Sequence, residues 1–179
     1  MNIDLKSITI EKLKSLKESV LRTEVIIPLL NEIGFDYVKD CHGSNECGID
    51  IFIETNDFFE RHKYYGISLK TGDINNKSKT DLNSIKIILM QMDEAFLTQF
   101  PSSNYELIYL HGYYIITSGS ISQSAENYIL KARPSYPYVD IINVQSLFGI
   151  IHKRDSLRNR YIGSKTNMYP AFKDETETL

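Results

Sequence analysis

The chain of 179 residues contains no uninterrupted apolar run of about 18 or more residues, the length that a membrane-spanning helix requires. Residues 1–6 lack the cationic start and the apolar stretch of a secretory signal. Internal repeats and low-complexity segments are also missing, and the apolar and charged fractions, 42% and 24%, are those of an ordinary globular protein. We therefore expect one cytoplasmic globular domain with a hydrophobic core and no membrane partner.

Cysteine is scarce, because only Cys41 and Cys47 occur, and they lie close together in sequence. Since no export signal is visible, we expect free thiols rather than a disulfide. His42 lies between them and could join them around zinc. A structural zinc site takes four ligands, however, and only these three candidates cluster here, so the spacing argues against zinc.

An excess of basic residues is absent too, because the formal net charge at pH 7 is −3. That balance argues against a protein that coats polyanions in general, but a local basic patch still allows nucleic-acid binding. Lysines do concentrate in the middle of the chain, at Lys63, Lys70, Lys77, Lys79 and Lys86. A solvated surface explains the loop lysines better than a binding patch does.

Apolar residues at helical spacing predict a first helix over residues 8–19 and a second one, buried on nearly all sides, over residues 21–33. Pro28 predicts a kink or a break in the second helix, and Gly34 is a natural C-terminal cap. Asp81 is a plausible N-cap for a third helix. Two further helices are predicted at residues 125–132 and 145–151.

Five segments have the apolar, β-branched or aromatic composition of strands. They lie at residues 35–38, 48–54, 63–70, 107–117 and 139–144. Short links join the first three, which predicts a meander, while helices join the later ones, which predicts parallel or mixed pairing. The expected fold is therefore α/β, and α+β-like, with helices flanking a central mixed sheet of about five strands.

The last part of the chain has a different composition. From Lys153 onward it is charged and aperiodic. This change predicts a domain over residues 1–152 followed by a loosely held, charged tail over residues 153–179.

Two of the predicted strands each carry one charged residue inside an apolar run. Asp50 lies within residues 48–53, and Lys70 ends residues 64–70. A buried carboxylate or ammonium is costly unless it is paired, hydrogen-bonded or metal-bound, so the two residues form a candidate site. Two simpler explanations stay open: Asp50 could cap backbone groups at a turn, and Lys70 could extend its ammonium to water at the strand end.

Short motifs follow one another in a particular order along the chain. They are Glu24 in the buried helix, Gly48-Ile49-Asp50-Ile51 in the second strand and Ser68-Leu69-Lys70 at the end of the third. Downstream, Ile115-Ile116-Thr117-Ser118-Gly119 leads towards a helix through Ser122 to Ala125. The order and spacing of these motifs, over residues 20–151, resemble the PD-(D/E)XK, or restriction endonuclease-like, superfamily, most closely its Mrr-like branch.

The resemblance implies a restriction endonuclease-like core and a DNA endonuclease that depends on Mg²⁺ or Mn²⁺ and acts in bacterial defence. Asp50 would be the central metal ligand, Glu24 a second one, directly or through water, and the Leu69 carbonyl a third. Lys70 would orient the attacking water and stabilise charge at the phosphate. The small domain implies a homodimer or a larger defence-system partner. Glu24 could equally be a surface residue paired with Lys17.

Ser68 departs from the family pattern, in which an acid or a glutamine stands two residues before the lysine. A serine hydroxyl is a poor ligand for a divalent metal, so a second acid has to compensate in an active enzyme. Glu24 is our first choice and Asp81 our second, with Asp73 and Glu94 as further candidates. Without such an acid, the same fold implies a catalytically weak or inactive subunit that binds nucleic acid or a protein partner. A junction resolvase would share these residues and differ in substrate.

Overall fold

The computed structural model describes residues 3–43, 47–57, 60–76, 83–132 and 136–166. Three residues named above, Lys77, Lys79 and Asp81, lie outside the described residues. In the part that is described, no helix is both long and apolar enough to cross a bilayer.

The helices and strands fall into three groups along the chain. The N-terminal helices are α1 (Ile10–Ser15), α2 (Glu18–Val20), a π-helical segment (Leu21–Ile26) and α3 (Ile27–Ile33). The middle group comprises β1 (Tyr37–Asp40), β2 (Ile51–Asn56), β3 (His62–Lys70) and α4 (Ile85–Leu97). The last group comprises β4 (Phe100–Pro101), β5 (Leu107–Ile108), β6 (Gly112–Thr117), α5 (Gln123–Ala132), β7 (Val139–Ile142) and α6 (Val144–Thr166).

Five strands form one mixed sheet in the order β1-β2-β3-β6-β7. The first three form an antiparallel meander, whereas β6 pairs parallel to β3 and β7 pairs parallel to β6. The crossovers from β3 to β6 and from β6 to β7 contain α4 and α5. This architecture confirms the predicted α/β fold with a five-stranded mixed sheet flanked by helices.

The buried second helix is interrupted by a π-helical turn just before Pro28. A proline ring clashes with the carbonyl four residues earlier, here that of Glu24. The π turn adapts to this proline, since the Ile27 N–H bonds the Arg22 carbonyl five residues back. The predicted cap is confirmed as well, because Gly34 has a φ of 100° and its N–H bonds the Leu30 carbonyl.

Helices cover both faces of the sheet and give it two separate cores. On one face, Ile67 and Leu69 of β3 pack with α1, the π-helical segment, α3 and α6. On the other face, Tyr64, Tyr113 and Ile115 pack with α4 and α5. Strand side chains alternate between faces, so these contacts define the side on which every residue of β3 lies.

The single strand predicted over residues 107–117 is wrong, because two short strands with different partners replace it. β5 pairs with β4 in a small second sheet, whereas β6 belongs to the main sheet. The chain changes direction around His111. The His111 ring accepts a hydrogen bond from the Tyr64 backbone N–H, and the His111 backbone N–H donates to the Tyr64 carbonyl. Composition alone could not reveal this break, since the residues on both sides favour strands.

The helix predicted to end at residue 151 is also wrong, because α6 continues to Thr166. Arg154 lies just beyond the predicted end and is buried; its Nε lies 2.8 Å from a Glu32 carboxylate oxygen, and its Nη1 donates to the Ile151 carbonyl at 2.8 Å. The predicted domain boundary after residue 152 therefore falls inside a helix. The rest of the predicted tail, residues 167–179, lies outside the described residues.

Two glycines provide a matched test of the packing between the loop after β3 and the turn after β6. A Cβ on Gly119 would lie 2.2 Å from the carbonyl carbon of Gly72, whereas a Cβ on Gly149 in α6 would meet nothing within 4 Å. We expect Gly119→Ala to lower the free energy of unfolding by about 1–3 kcal/mol through overpacking. Gly149→Ala should raise it by about 0.5–1 kcal/mol, because alanine loses less backbone entropy in a helix.

Urea unfolding followed by circular dichroism measures both effects. Equal stability of the Gly119→Ala variant and the wild type would contradict the close approach of the two loops.

Candidate functional site

A tight turn places Asp50 at the start of β2. Cys47 and Gly48 both have positive φ values, 45° and 80°, in this turn. A Cβ on Gly48 would lie 2.0 Å from the backbone oxygen of Gln91, so α4 packs directly against the turn. Asp50 itself is only 6% exposed. The turn therefore delivers a buried carboxylate between the sheet and α4.

The Asp50 carboxylate is bonded to the strand that carries Lys70. Its Oδ2 accepts the Leu69 N–H at 2.7 Å, and the Asp50 N–H donates to the Ile67 carbonyl at 2.8 Å. In an antiparallel pair, the N–H and C=O of one residue point towards the same neighbouring strand. The Leu69 carbonyl therefore lies on the Asp50 side of β3.

Ser68 and Lys70 lie on the same face of the sheet as Asp50. Leu69 packs into the opposite core, so its two neighbours point towards α4 and α5. Ile51 pairs with Ile67, but the Asp50 N–H also bonds the Ile67 carbonyl, so the pairing is irregular at Asp50. Asp50 lies close enough to Tyr113, which packs on this face, for its charge to raise the Tyr113 pKa. Ser68 and Lys70 are 1% and 8% exposed. The structure thus brings a buried carboxylate, hydroxyl and ammonium to one end of β3.

Glu24 is not brought to this end of β3. It lies on the π-helical segment, which packs on the opposite face of the sheet. There it lines a polar cleft of about 550 Å³ together with Lys6, Asp155 and Arg158. Across the described residues, no three His, Cys, Asp or Glu side chains are grouped so that they could hold a metal ion. The ligand role predicted for Glu24 stays a prediction, without support from its position.

The other candidate acids differ in their surroundings. Asp73 accepts both the N–H and the hydroxyl of Ser120 at 2.7 Å, which ties the loop after β3 to the turn after β6. These hydrogen bonds lower the pKa of Asp73 below its ordinary value. Glu94 is exposed on α4. Asp81 lies outside the described residues.

Tyr113 is a site residue that the sequence analysis missed. It is fully buried, its hydroxyl donates to the Gly48 carbonyl at 2.5 Å, and the Ser68 hydroxyl hydrogen-bonds to it. Burial strongly raises the pKa of Tyr113, and the charges of Asp50 and Glu94 raise it further. The hydroxyl of a tyrosine inside a buried apolar strand needs a hydrogen-bond partner. This requirement is the feature of the sequence that could have identified Tyr113.

The residues at this end of β3 fit part of a site for a hard divalent cation. Mg²⁺ is typically bound through one or two carboxylates, with water and substrate supplying further oxygens. Asp50 and the Leu69 carbonyl offer oxygens of this kind. Cys41 and Cys47, both free thiols, lie nearby in sequence, and burial raises the pKa of Cys41. A largely protonated thiol is a weak metal ligand, so the donor set favours oxygen coordination.

Comparison with known proteins gives one structural similarity. The chain is similar to the MspJI restriction endonuclease in complex with a 27-mer oligonucleotide, with a TM-score of 0.41 and 16% sequence identity. The similarity covers 86% of this chain and 34% of that chain, so this chain spans about a third of its length. No family model and no curated protein matches the sequence.

The contact between Asp73 and Ser120 can be tested by titration. Because the pKa of Asp73 is lowered in the folded state, its stabilising effect is present above the unfolded pKa and is lost as the pH falls through the folded pKa. Ser120→Ala removes the hydroxyl donor and keeps the backbone donor, so the Asp73 pKa should rise part of the way towards its ordinary value. NMR titration of the Asp73 carboxyl measures this shift. An unchanged pKa would argue against the hydroxyl contact.

Tyr113→Phe tests the hydrogen bond to the turn before Asp50. The change leaves the partly buried Gly48 carbonyl without this donor, and we expect a loss of about 1–3 kcal/mol in the free energy of unfolding. Tyr128→Phe, at an exposed position of α5, is the control and should change stability by less than about 0.5 kcal/mol. Thermal and urea unfolding give the comparison, and equal effects of the two substitutions would count against the contact.

Proposed function

We propose that this chain is a divalent-metal-dependent DNA endonuclease that hydrolyses phosphodiester bonds in bacterial defence. The observation that carries this proposal is the 2.7 Å hydrogen bond between Asp50 Oδ2 and the Leu69 N–H. This bond links Asp50 of the Gly48-Ile49-Asp50-Ile51 motif to Leu69 of the Ser68-Leu69-Lys70 motif. Ser68 and Lys70 lie on the face of the sheet that α4 and α5 cover. A homodimer or a larger defence-system partner would supply targeting, and the protein would act in the cytoplasm.

Asp50 and the Leu69 carbonyl would hold Mg²⁺ or Mn²⁺. The bound ion would supply an activated water and offset the negative charge that develops on the phosphate. Lys70 has three N–H donors, with which it would orient the attacking water and stabilise the phosphate oxygens. Its backbone is held in place, since its carbonyl accepts the Ser118 N–H at 3.1 Å. The ammonium therefore acts from a fixed strand end.

Ser68 has a supporting role in this proposal. Its hydroxyl is bonded to Tyr113, which also holds the Gly48 carbonyl in the turn before Asp50. Ser68 and Tyr113 would thus position the carboxylate rather than bind the metal. Glu24 stays outside the proposed ligand set because it lies across the sheet, and its substitution tests the role that the resemblance implies.

A second candidate function is a catalytically weak or inactive subunit that binds nucleic acid or a protein partner. The observation that favours it is that, among the described residues, no three His, Cys, Asp or Glu side chains are grouped so that they could hold a metal ion. A junction resolvase would use the same residues on branched DNA. Substrate choice therefore separates these functions.

The test is cleavage of supercoiled plasmid, single-stranded DNA and branched DNA with Mg²⁺, Mn²⁺ or EDTA. We expect metal-dependent nicking that Asp50→Asn abolishes and that Lys70→Met reduces on the order of 100-fold, the cost of removing one charge-stabilising donor. Ser68→Ala should be mild. Glu24→Gln should retain activity if only Asp50, Leu69 and Lys70 serve the reaction, whereas a loss as large as that of Asp50→Asn would restore Glu24 as a ligand.

Circular dichroism of each variant ensures that only folded proteins are compared. Metal-dependent nicking that survives in a folded Asp50→Asn variant would remove the proposed site. A wild type that cleaves none of the three substrates but binds DNA would support the inactive subunit instead.

A further inference from the structure

The side-chain oxygen of Gln91, on α4, is buried and lacks a hydrogen-bond partner within the described structure. A buried polar atom that loses its bonds to water and gains none in the protein is costly, so each such atom calls for an explanation. An amide oxygen is also a good ligand for Mg²⁺ and related hard cations. The orphaned oxygen is therefore a candidate ligand.

Gln91 lies beside the turn that holds Asp50. The Gln91 backbone is so close to Gly48 that a Cβ there would lie 2.0 Å from the Gln91 carbonyl oxygen and 3.3 Å from its Cα. Gly48 is in turn two residues before Asp50. A glutamine side chain is long enough to extend from this contact towards the carboxylate.

The direction of α4 also favours a Gln91 side chain that extends towards the site. The N-terminal end of α4 lies by the end of β3, because the Asn83 amide donates to the Thr71 carbonyl at 2.7 Å, one residue after Lys70. Long side chains of a helix lean towards its N-terminus. We therefore expect the Gln91 side chain to extend from the Gly48 turn towards the end of β3 that carries Lys70.

We propose that Gln91 Oε1 is a ligand of the divalent cation that Asp50 and the Leu69 carbonyl hold. This inference rests on the proposed function and adds to it an oxygen ligand in place of the acid that the chain lacks at Ser68. The site then has one charged carboxylate and two neutral oxygens from the protein. Such a set suits a hard cation whose remaining ligands are water and phosphate oxygens.

The test is a titration of the full chain with MgCl₂ and MnCl₂, followed by calorimetry and, for Mg²⁺, by the side-chain NH₂ resonances of Gln91. Coordination through Oε1 should shift these resonances on Mg²⁺ addition in the wild type, and the shift should vanish in Asp50→Asn. Gln91→Met keeps the length of the side chain and removes the oxygen, so the affinity should fall about 10-fold or more. Gln91→Glu adds a charged oxygen and should raise it.

Glu94→Gln is the matched control, because Glu94 lies one turn further along the same helix and was a candidate acid. It should leave metal affinity unchanged. If Glu94→Gln lowers the affinity and Gln91→Met does not, the acid is the ligand and the inference about Gln91 is wrong. If Gln91→Met matches the wild type and the amide resonances stay in place, the inference also fails.

The thermal midpoint of the metal-free protein separates a ligand from a merely buried amide. Gln91→Met removes an orphaned polar atom, so its metal-free midpoint should equal or exceed that of the wild type while its metal affinity is lower. A lower midpoint together with unchanged affinity would give Gln91 a packing role only. Failure of the proposed function looks different: Asp50→Asn would then bind metal as tightly as the wild type.

Discussion

The hydrogen bond from the Leu69 N–H to Asp50 is the constraint on which the rest of the site depends. A carboxylate that is almost completely buried would be too costly without charge-assisted partners. This bond meets part of that need from the backbone of β3, so the carboxylate and the strand that ends in Lys70 cannot be positioned independently. The tight turn, the Tyr113 hydroxyl and the contact of α4 with Gly48 all serve to keep this one arrangement.

Tyr113 and Gln91 reach the same turn from different elements. Tyr113 approaches from the neighbouring parallel strand, and Gln91 approaches from the helix that covers the sheet. Each of them meets Gly48: Tyr113 bonds its carbonyl, and its missing side chain leaves room for the Gln91 backbone. A larger residue at this position would separate α4 from the sheet, and the surroundings of Asp50 would open to water.

Much of the fold could be predicted from periodicity, because the strands of the meander and the helix before Gly34 have strong local patterns. The break at His111 could not, since it depends on which strand each segment pairs with. The extended part of α6 includes a contact between Arg154 and Glu32, residues far apart in sequence, which a local pattern does not show. At the candidate site, Asp50 and Lys70 could be predicted because a charged residue inside an apolar run can be recognised from the sequence alone. The face on which Glu24 lies, and the positions of Tyr113 and Gln91 beside Gly48, are set by packing that no local pattern encodes.

The mixed pairing of β3 divides the assembly of the site into an early and a late stage. β2 and β3 are joined by a short link, so the loop that closes when Asp50 meets Leu69 is small and forms readily. The parallel pairing with β6 closes a far longer loop, and such distant contacts slow folding. The acid and the strand of Lys70 can therefore meet while the protein is still partly open. We expect Tyr113 and α4 to pack afterwards, since their contacts close the longer loops, and to complete the burial of Asp50.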